Sequence, residues 1–162
     1  MTRSAGTARA GRVTPLMVAA IAAALTVGMA AGLGAYTFVY AKGYSYMGND
    51  PQSCVNCHIM KEQYEAWTRS SHHAIATCND CHAPHDLVGK YRVKATNGYH
   101  HSLAFTTGEF ADPIHIKPGN RAVTEAQCRH CHADIVHGID TTPKPGEEMS
   151  CVRCHASVGH LH

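Results

Sequence analysis

The chain has 162 residues, 16% of them charged, and a formal net charge of +2. That near-balance carries no nucleic-acid signature. Eight cysteines and fourteen histidines in so short a chain are the compositional departure that has to be explained.

In chain order, Arg3, Arg9 and Arg12 come first, with no acidic residue among them. Then Pro15 to Tyr40 runs without a charged residue. A bilayer-spanning helix needs about 20 apolar residues, and the run exceeds the 7–15 or so of a signal-peptide core. We therefore expect a retained anchor and not a cleaved signal. Residues 1–14 would lie in the cytoplasm by the positive-inside rule, 15–40 would cross the inner (cytoplasmic) membrane once, and 45–162 would form a domain on the periplasmic side. Gly28 and Gly32 make a Gly-x-x-x-Gly step through which two such helices can self-associate.

All eight cysteines then fall into four Cys-x-x-Cys-His motifs: Cys54 and Cys57, Cys78 and Cys81, Cys128 and Cys131, Cys151 and Cys154. This spacing reads as covalent c-type haem attachment, two thioether bonds beside an imidazole placed to ligate iron. Disulfides or all-cysteine zinc sites would not need a histidine after each pair. At this histidine content, four such placements by chance come to roughly one in twenty thousand. Four haem c groups in so few residues indicate an electron-transfer protein. Successive motifs start 24, 50 and 23 residues apart, as in two dihaem halves with an insertion between them.

About 120 residues outside the membrane cannot bury a large apolar core. The haems must therefore form much of the core. The expected class is mainly α, a compact tetrahaem domain with little regular secondary structure beyond short helices. Helices are predicted over 61–70, which is rich in helix formers, and over 86–105, where Gly89 and Gly98 weaken the pattern. A third is predicted to start at a Thr124-Glu125-Ala126-Gln127 capping box. Glycine and proline mark loops at 106–120 and 141–148.

The motif histidines His58, His82, His132 and His155 offer one axial ligand each, and ten further histidines suit bis-His irons. The first motif continues as His58-Ile59-Met60, which places a thioether two residues on. Such a methionine either ligates haem and raises its potential or fills a packing gap.

The anchor, the four motifs, Cys-His-Ile-Met at the first and Cys-Asn-Asp-Cys-His-Ala-Pro-His at the second resemble the NapC/NirT-type tetrahaem quinol dehydrogenases over nearly all of the chain after Arg12. The likeness is strongest to members that serve a pentahaem cytochrome c nitrite reductase. It implies oxidation of menaquinol from the membrane quinol pool and delivery of electrons to that catalytic subunit. Two other readings are a dehydrogenase for another periplasmic reductase and a wiring cytochrome that never meets quinol. By the resemblance, Met60 displaces His58 as ligand of haem 1, His73 and His160 are distal ligands of other haems, and Lys94 is the quinol-site lysine. Seven residues after that lysine the family has an aspartate, where this chain has His101. We expect His101 to accept a quinol proton. The competing role is a sixth ligand that closes haem 1. An i, i+7 spacing puts Lys94 and His101 on one helix face.

Overall fold

The computed structural model describes residues 13–139 and 149–160, and divides into a unit of residues 1–41 and one of residues 42–162. The arginines before residue 13 and the loop expected at 141–148 lie outside the described residues.

The first unit is one helix, α1 (Pro15–Tyr40). Thr14 starts it, its hydroxyl accepting from the Met17 N–H at 3.3 Å, and Pro15 occupies the first helical position, where its missing N–H costs nothing. The helix is long and apolar enough to cross a membrane, and none of it is buried within the chain. Tyr36 and Tyr40 stack at its C-terminal end, ring centroids 5.9 Å apart.

The second unit is helical, without a strand among its described residues. Short 3-10 segments (Gly43–Met47, Pro51–Asn56, His58–Met60) lead into α2 (Lys61–Thr68), α3 (Cys78–His82), α4 (Leu87–Thr107), α5 (Pro118–Cys131), α6 (Ala133–Ile139) and α7 (Cys151–Cys154). Of the predicted helices, 61–70 corresponds to α2 and 86–105 to α4. In α4, Asp86 accepts from the Gly89 N–H at 2.7 Å, and Gly108 ends the helix with φ +73°, a left-handed conformation that favours glycine. The interior glycines have uses. A Cβ at Gly89 would collide with the capping Asp86 carboxylate, and Gly98 lies under the Tyr46 ring.

The third helix departs from expectation. It begins at Pro118, six residues before the expected cap, because proline suits the first helical position and does not by itself mark a loop. Thr124 is therefore interior, its hydroxyl donating to the Asn120 carbonyl at 3.2 Å. The capping box forms instead at Thr77 and Asp80, at the start of α3.

Hardly any apolar side chain is buried. Among the described residues only Ala66 and Ala83 are, beside the polar Lys94 and Gln127. A domain of this size held by its own side chains would bury far more. The helices are built to close around something other than one another.

Candidate haem and quinol site

Motifs two, three and four each occupy a helical turn: α3, the end of α5, and α7. Residues three apart on a helix are neighbours. Each turn therefore sets its two thiols on one side, with the histidine at or just past the end. The first motif differs, lying across two 3-10 segments with Asp50 accepting from the Gln52 N–H at 2.9 Å. No disulfide joins any of the eight cysteines. Among the described residues, no three His, Cys, Asp or Glu side chains converge as a structural zinc site requires.

The motifs are neighbours in chain order. Cys54 and Cys78 are hydrogen-bonded thiols, an interaction that pulls Cys54 below its ordinary pKa and pushes Cys78 above its own. Packing of α3 on α5 brings Cys81 near Cys128 and Cys131, and Cys128 lies near Cys151. Glu125 joins the last two motifs. Its carboxylate accepts from the Ser150 hydroxyl, the Cys151 N–H at 2.8 Å and the Val152 N–H at 3.4 Å, so it caps α7 and not its own helix. Arg129 reinforces this, donating to the Met149 carbonyl at 2.6 Å.

Two pairs of imidazoles lie close together, one parallel and one edge-on. His82 and His160 lie with ring centroids 5.8 Å apart and planes 1° from parallel. His72 and His132 are 6.0 Å apart with planes crossed at 73°. Two imidazoles on opposite faces of one metal, each bonded at about 2.0 Å, have centroids roughly 6 Å apart. Both pairs meet that spacing. Burial and the neighbouring His160 push His82 down to about 4, which keeps it in the neutral form that binds metal. By contrast His85 and His130, at 4.6 Å, are stacked too closely to admit an iron. The one-turn thiol pairs, the facing imidazoles and the missing apolar core all fit bound haem.

The remaining expected ligands are placed as follows. His73 packs edge-on against Trp67 at 4.6 Å and is exposed. His155 caps the end of α7 and is exposed. Met60 is half-buried, whereas His58, two residues earlier, is exposed. The resemblance names His73 and passes over the adjacent His72, and the role of Glu125 was hidden by the helix start assigned to it.

Lys94 is one of the most buried residues of the chain, at 5% exposure. Its ammonium donates to the carbonyls of Tyr46 (3.1 Å), Met47 (3.5 Å) and Gly48, the end of the 3-10 segment that precedes the first motif. The Gly48 carbonyl also accepts from Asn79 of the second motif at 3.4 Å. Burial and nearby Lys90 push Lys94 below the ordinary lysine value, while Cys54 of the first motif acts in the opposite direction. His101 lies on the same helix but is exposed, with other neighbours. Its pKa is lowered by partial burial, then by Lys117 and His100. Helix periodicity aligns the two residues without giving them one environment.

Residues 15–162 match the NapC/NirT cytochrome c family, N-terminal region. The chain is 37% identical over 142 residues to the cytochrome c-type protein NrfH of Wolinella succinogenes, spanning 82% of this chain and 80% of that protein. It is 32% identical over 121 residues to the cytochrome c nitrite reductase subunit NrfH of Nitratidesulfovibrio vulgaris, spanning 75% and 73%. A solved structure of the cytochrome c nitrite reductase NrfHA complex, bound to the inhibitor HQNO, superposes with a TM-score of 0.59 at 28% identity, covering 85% of this chain and 90% of that one.

Proposed function

The chain belongs to the NapC/NirT cytochrome c family, and from that premise we propose that it is a membrane-anchored tetrahaem cytochrome c that oxidises menaquinol and feeds a periplasmic multihaem nitrite reductase. The observation that carries this reading is the run of four attachment motifs, each beside the next in chain order, with the buried Lys94 next to the first. Relatives named as nitrite reductase subunits, matched over most of their length, support the choice of partner.

When bound, the haems supply a relay of one-electron carriers. The chain's own residues do the rest. Met60, half-buried after the first motif, is proposed as the protein ligand there, which leaves His58 free of that task. His82 and His160 would hold the second iron, and His155 would help to hold the fourth. Quinol oxidation releases two protons with its two electrons, so the entry end needs groups that bind an oxygen and accept a proton. Lys94 holds a cation in a low-dielectric setting beside the first motif and can favour the deprotonated quinol by giving up one of its carbonyl partners. His101, neutral because its pKa is lowered, can accept a proton. His101→Gln should therefore flatten the acid side of the quinol-oxidation pH profile. A resting protein with no high-spin ferric signal, which gains one in His101→Ala, would instead mark His101 as a haem ligand.

α1 is proposed to stay on the mature protein and hold it in the inner membrane. Intact mass of the membrane-extracted protein should include residues 15–40, and a product starting near Gly32 or Tyr36 would refute this. Self-association through Gly28 and Gly32 fits a helix face on which an added Cβ at either glycine meets nothing within 4 Å. The choice of partner is tested by mixing the quinol-reduced protein with a pentahaem nitrite reductase and nitrite. Reoxidation that requires both supports the pairing. Reoxidation only by a nitrate, N-oxide or S-oxide reductase would redirect the electrons to another member of that class.

A further inference from the structure

We infer that Glu125 is a positioning residue for the fourth haem: from α5 it holds the turn that carries Cys151 and Cys154 against the third motif, and its carboxylate lowers the potential of the group attached there. The inference rests on the reading of the motifs as haem sites and extends it from attachment to the control of one potential.

The fourth motif cannot hold its own shape. α7 is four residues long and buries none of them. A single turn is unstable alone, and its first N–H groups have no partner within it. Ser150, at the N-cap, makes no side-chain bond to them. The missing acceptor comes from another helix. Three side chains of α5 reach this segment, spaced i, i+4 and i+8 on one face. Arg121 donates to the Ser150 hydroxyl at 3.1 Å. Glu125 accepts from that hydroxyl and from the Cys151 and Val152 N–H groups at 2.8 and 3.4 Å. Arg129 donates to the Met149 carbonyl at 2.6 Å. Arg129 follows Cys128 directly, so the third motif takes part in holding the fourth.

Haem attachment leaves this clamp in place. The Cys151 thiol also donates to Glu125, and thioether formation removes that proton. The Ser150 hydroxyl and the two N–H groups are not consumed, so the carboxylate stays beside the sulfur that carries the haem. Glu125 is half-buried, and its hydrogen bonds keep it ionised. A fixed negative charge favours ferric haem, which carries one more positive charge than ferrous. Arg129 acts on Cys151 in the opposite sense, so removing Glu125 leaves that cation less opposed. Glu125 also acts on Cys128 but makes its hydrogen bonds to the fourth motif, so the third haem should respond less.

The test uses full-length, haem-loaded protein in detergent, as wild type, Glu125→Gln, Glu125→Asp, Glu125→Ala and Ser150→Ala. Pyridine haemochrome should count four haems per chain in each, because the thioether bonds do not depend on Glu125. In a redox titration followed by visible spectra, Glu125→Gln should raise the potential of one haem, with at most a smaller rise in a second. Glu125→Asp keeps the charge and should stay near wild type. Ser150→Ala removes a hydrogen bond and no charge, and should leave the potentials unchanged. Hydrogen exchange reads the clamp separately. Amides of residues 151 and 152 should exchange roughly tenfold faster in Glu125→Ala than in wild type, with those of α3 unaffected. A Glu125→Gln titration identical to that of wild type, with four haems bound, would overturn the inference. So would equal exchange in wild type and Glu125→Ala, or a rise in Ser150→Ala as large as in Glu125→Gln, which would mark packing and not charge. A wild-type count of two haems or fewer would overturn the haem reading itself.

Discussion

The first motif and the other three are built differently. Motifs two to four are helical turns, and two of their histidines face a second imidazole at about the spacing an iron needs. The first lies on 3-10 segments, exposes its histidine, is followed by a methionine, and is backed by a buried lysine that ties down the preceding turn. Bis-imidazole sites suit carriers that only pass electrons. A site with a weaker ligand and a nearby cation suits the place where a substrate gives them up. On the proposed function, one repeated five-residue motif would serve two purposes, and the residues around it would decide which.

The largest effect should come from removing that difference at Lys94. Lys94→Leu should cut quinol oxidation at least tenfold and still allow dithionite to reduce all four haems. It should also destabilise the domain by about 1–3 kcal/mol, because the carbonyls of residues 46–48 lose a shared donor. Steady-state kinetics beside thermal unfolding checks both. Loss of haem reduction by dithionite as well would make Lys94 purely structural.

Met60→His converts the first site toward the pattern of the others. The potential of one haem should fall, because imidazole stabilises ferric iron better than a thioether does, and electron entry should slow. A redox titration identical to that of wild type would leave Met60 as a packing residue.

The smallest effect concerns the other region. Burial raises the Glu125 pKa, but the hydrogen bonds from Ser150, Cys151 and Val152 outweigh it and leave the carboxyl below its ordinary value. A depressed carboxyl stabilises the fold above its unfolded pKa of about 4.3, and that contribution is lost as pH falls through the lower folded value. Glu125→Gln should therefore cost about 1 kcal/mol at neutral pH and reduce the acid sensitivity of unfolding, with quinol oxidation unchanged. Urea unfolding at neutral and acid pH checks this.

How much of this was legible in the sequence follows from the range of the interactions. The anchor, the four motifs and helices α2 and α4 rest on spacing and composition, which are local, and they were readable. So was Met60 as a candidate, because it lies two residues from its motif. The start of α5 was misplaced because Thr124 and Gln127 satisfy a local rule whose groups are used otherwise, donating to the Asn120 and Val123 carbonyls. Glu125 reaches 26 residues along the chain to Cys151. The environment of Lys94 depends on carbonyls 46–48 residues away, and the approach of His72 to His132 joins a turn and a helix end far apart in sequence. Contacts of that range leave no periodic trace.

The most direct test of quinol oxidation is visible spectroscopy of the full-length protein in lipid vesicles, with a reduced menaquinol analogue as the only donor. Quinol should reduce the haems as far as their potentials allow, and HQNO, the inhibitor bound in the solved relative, should slow that reduction. Haems that dithionite reduces and quinol leaves oxidised would mean that the chain wires electrons between proteins and never takes them from the membrane pool.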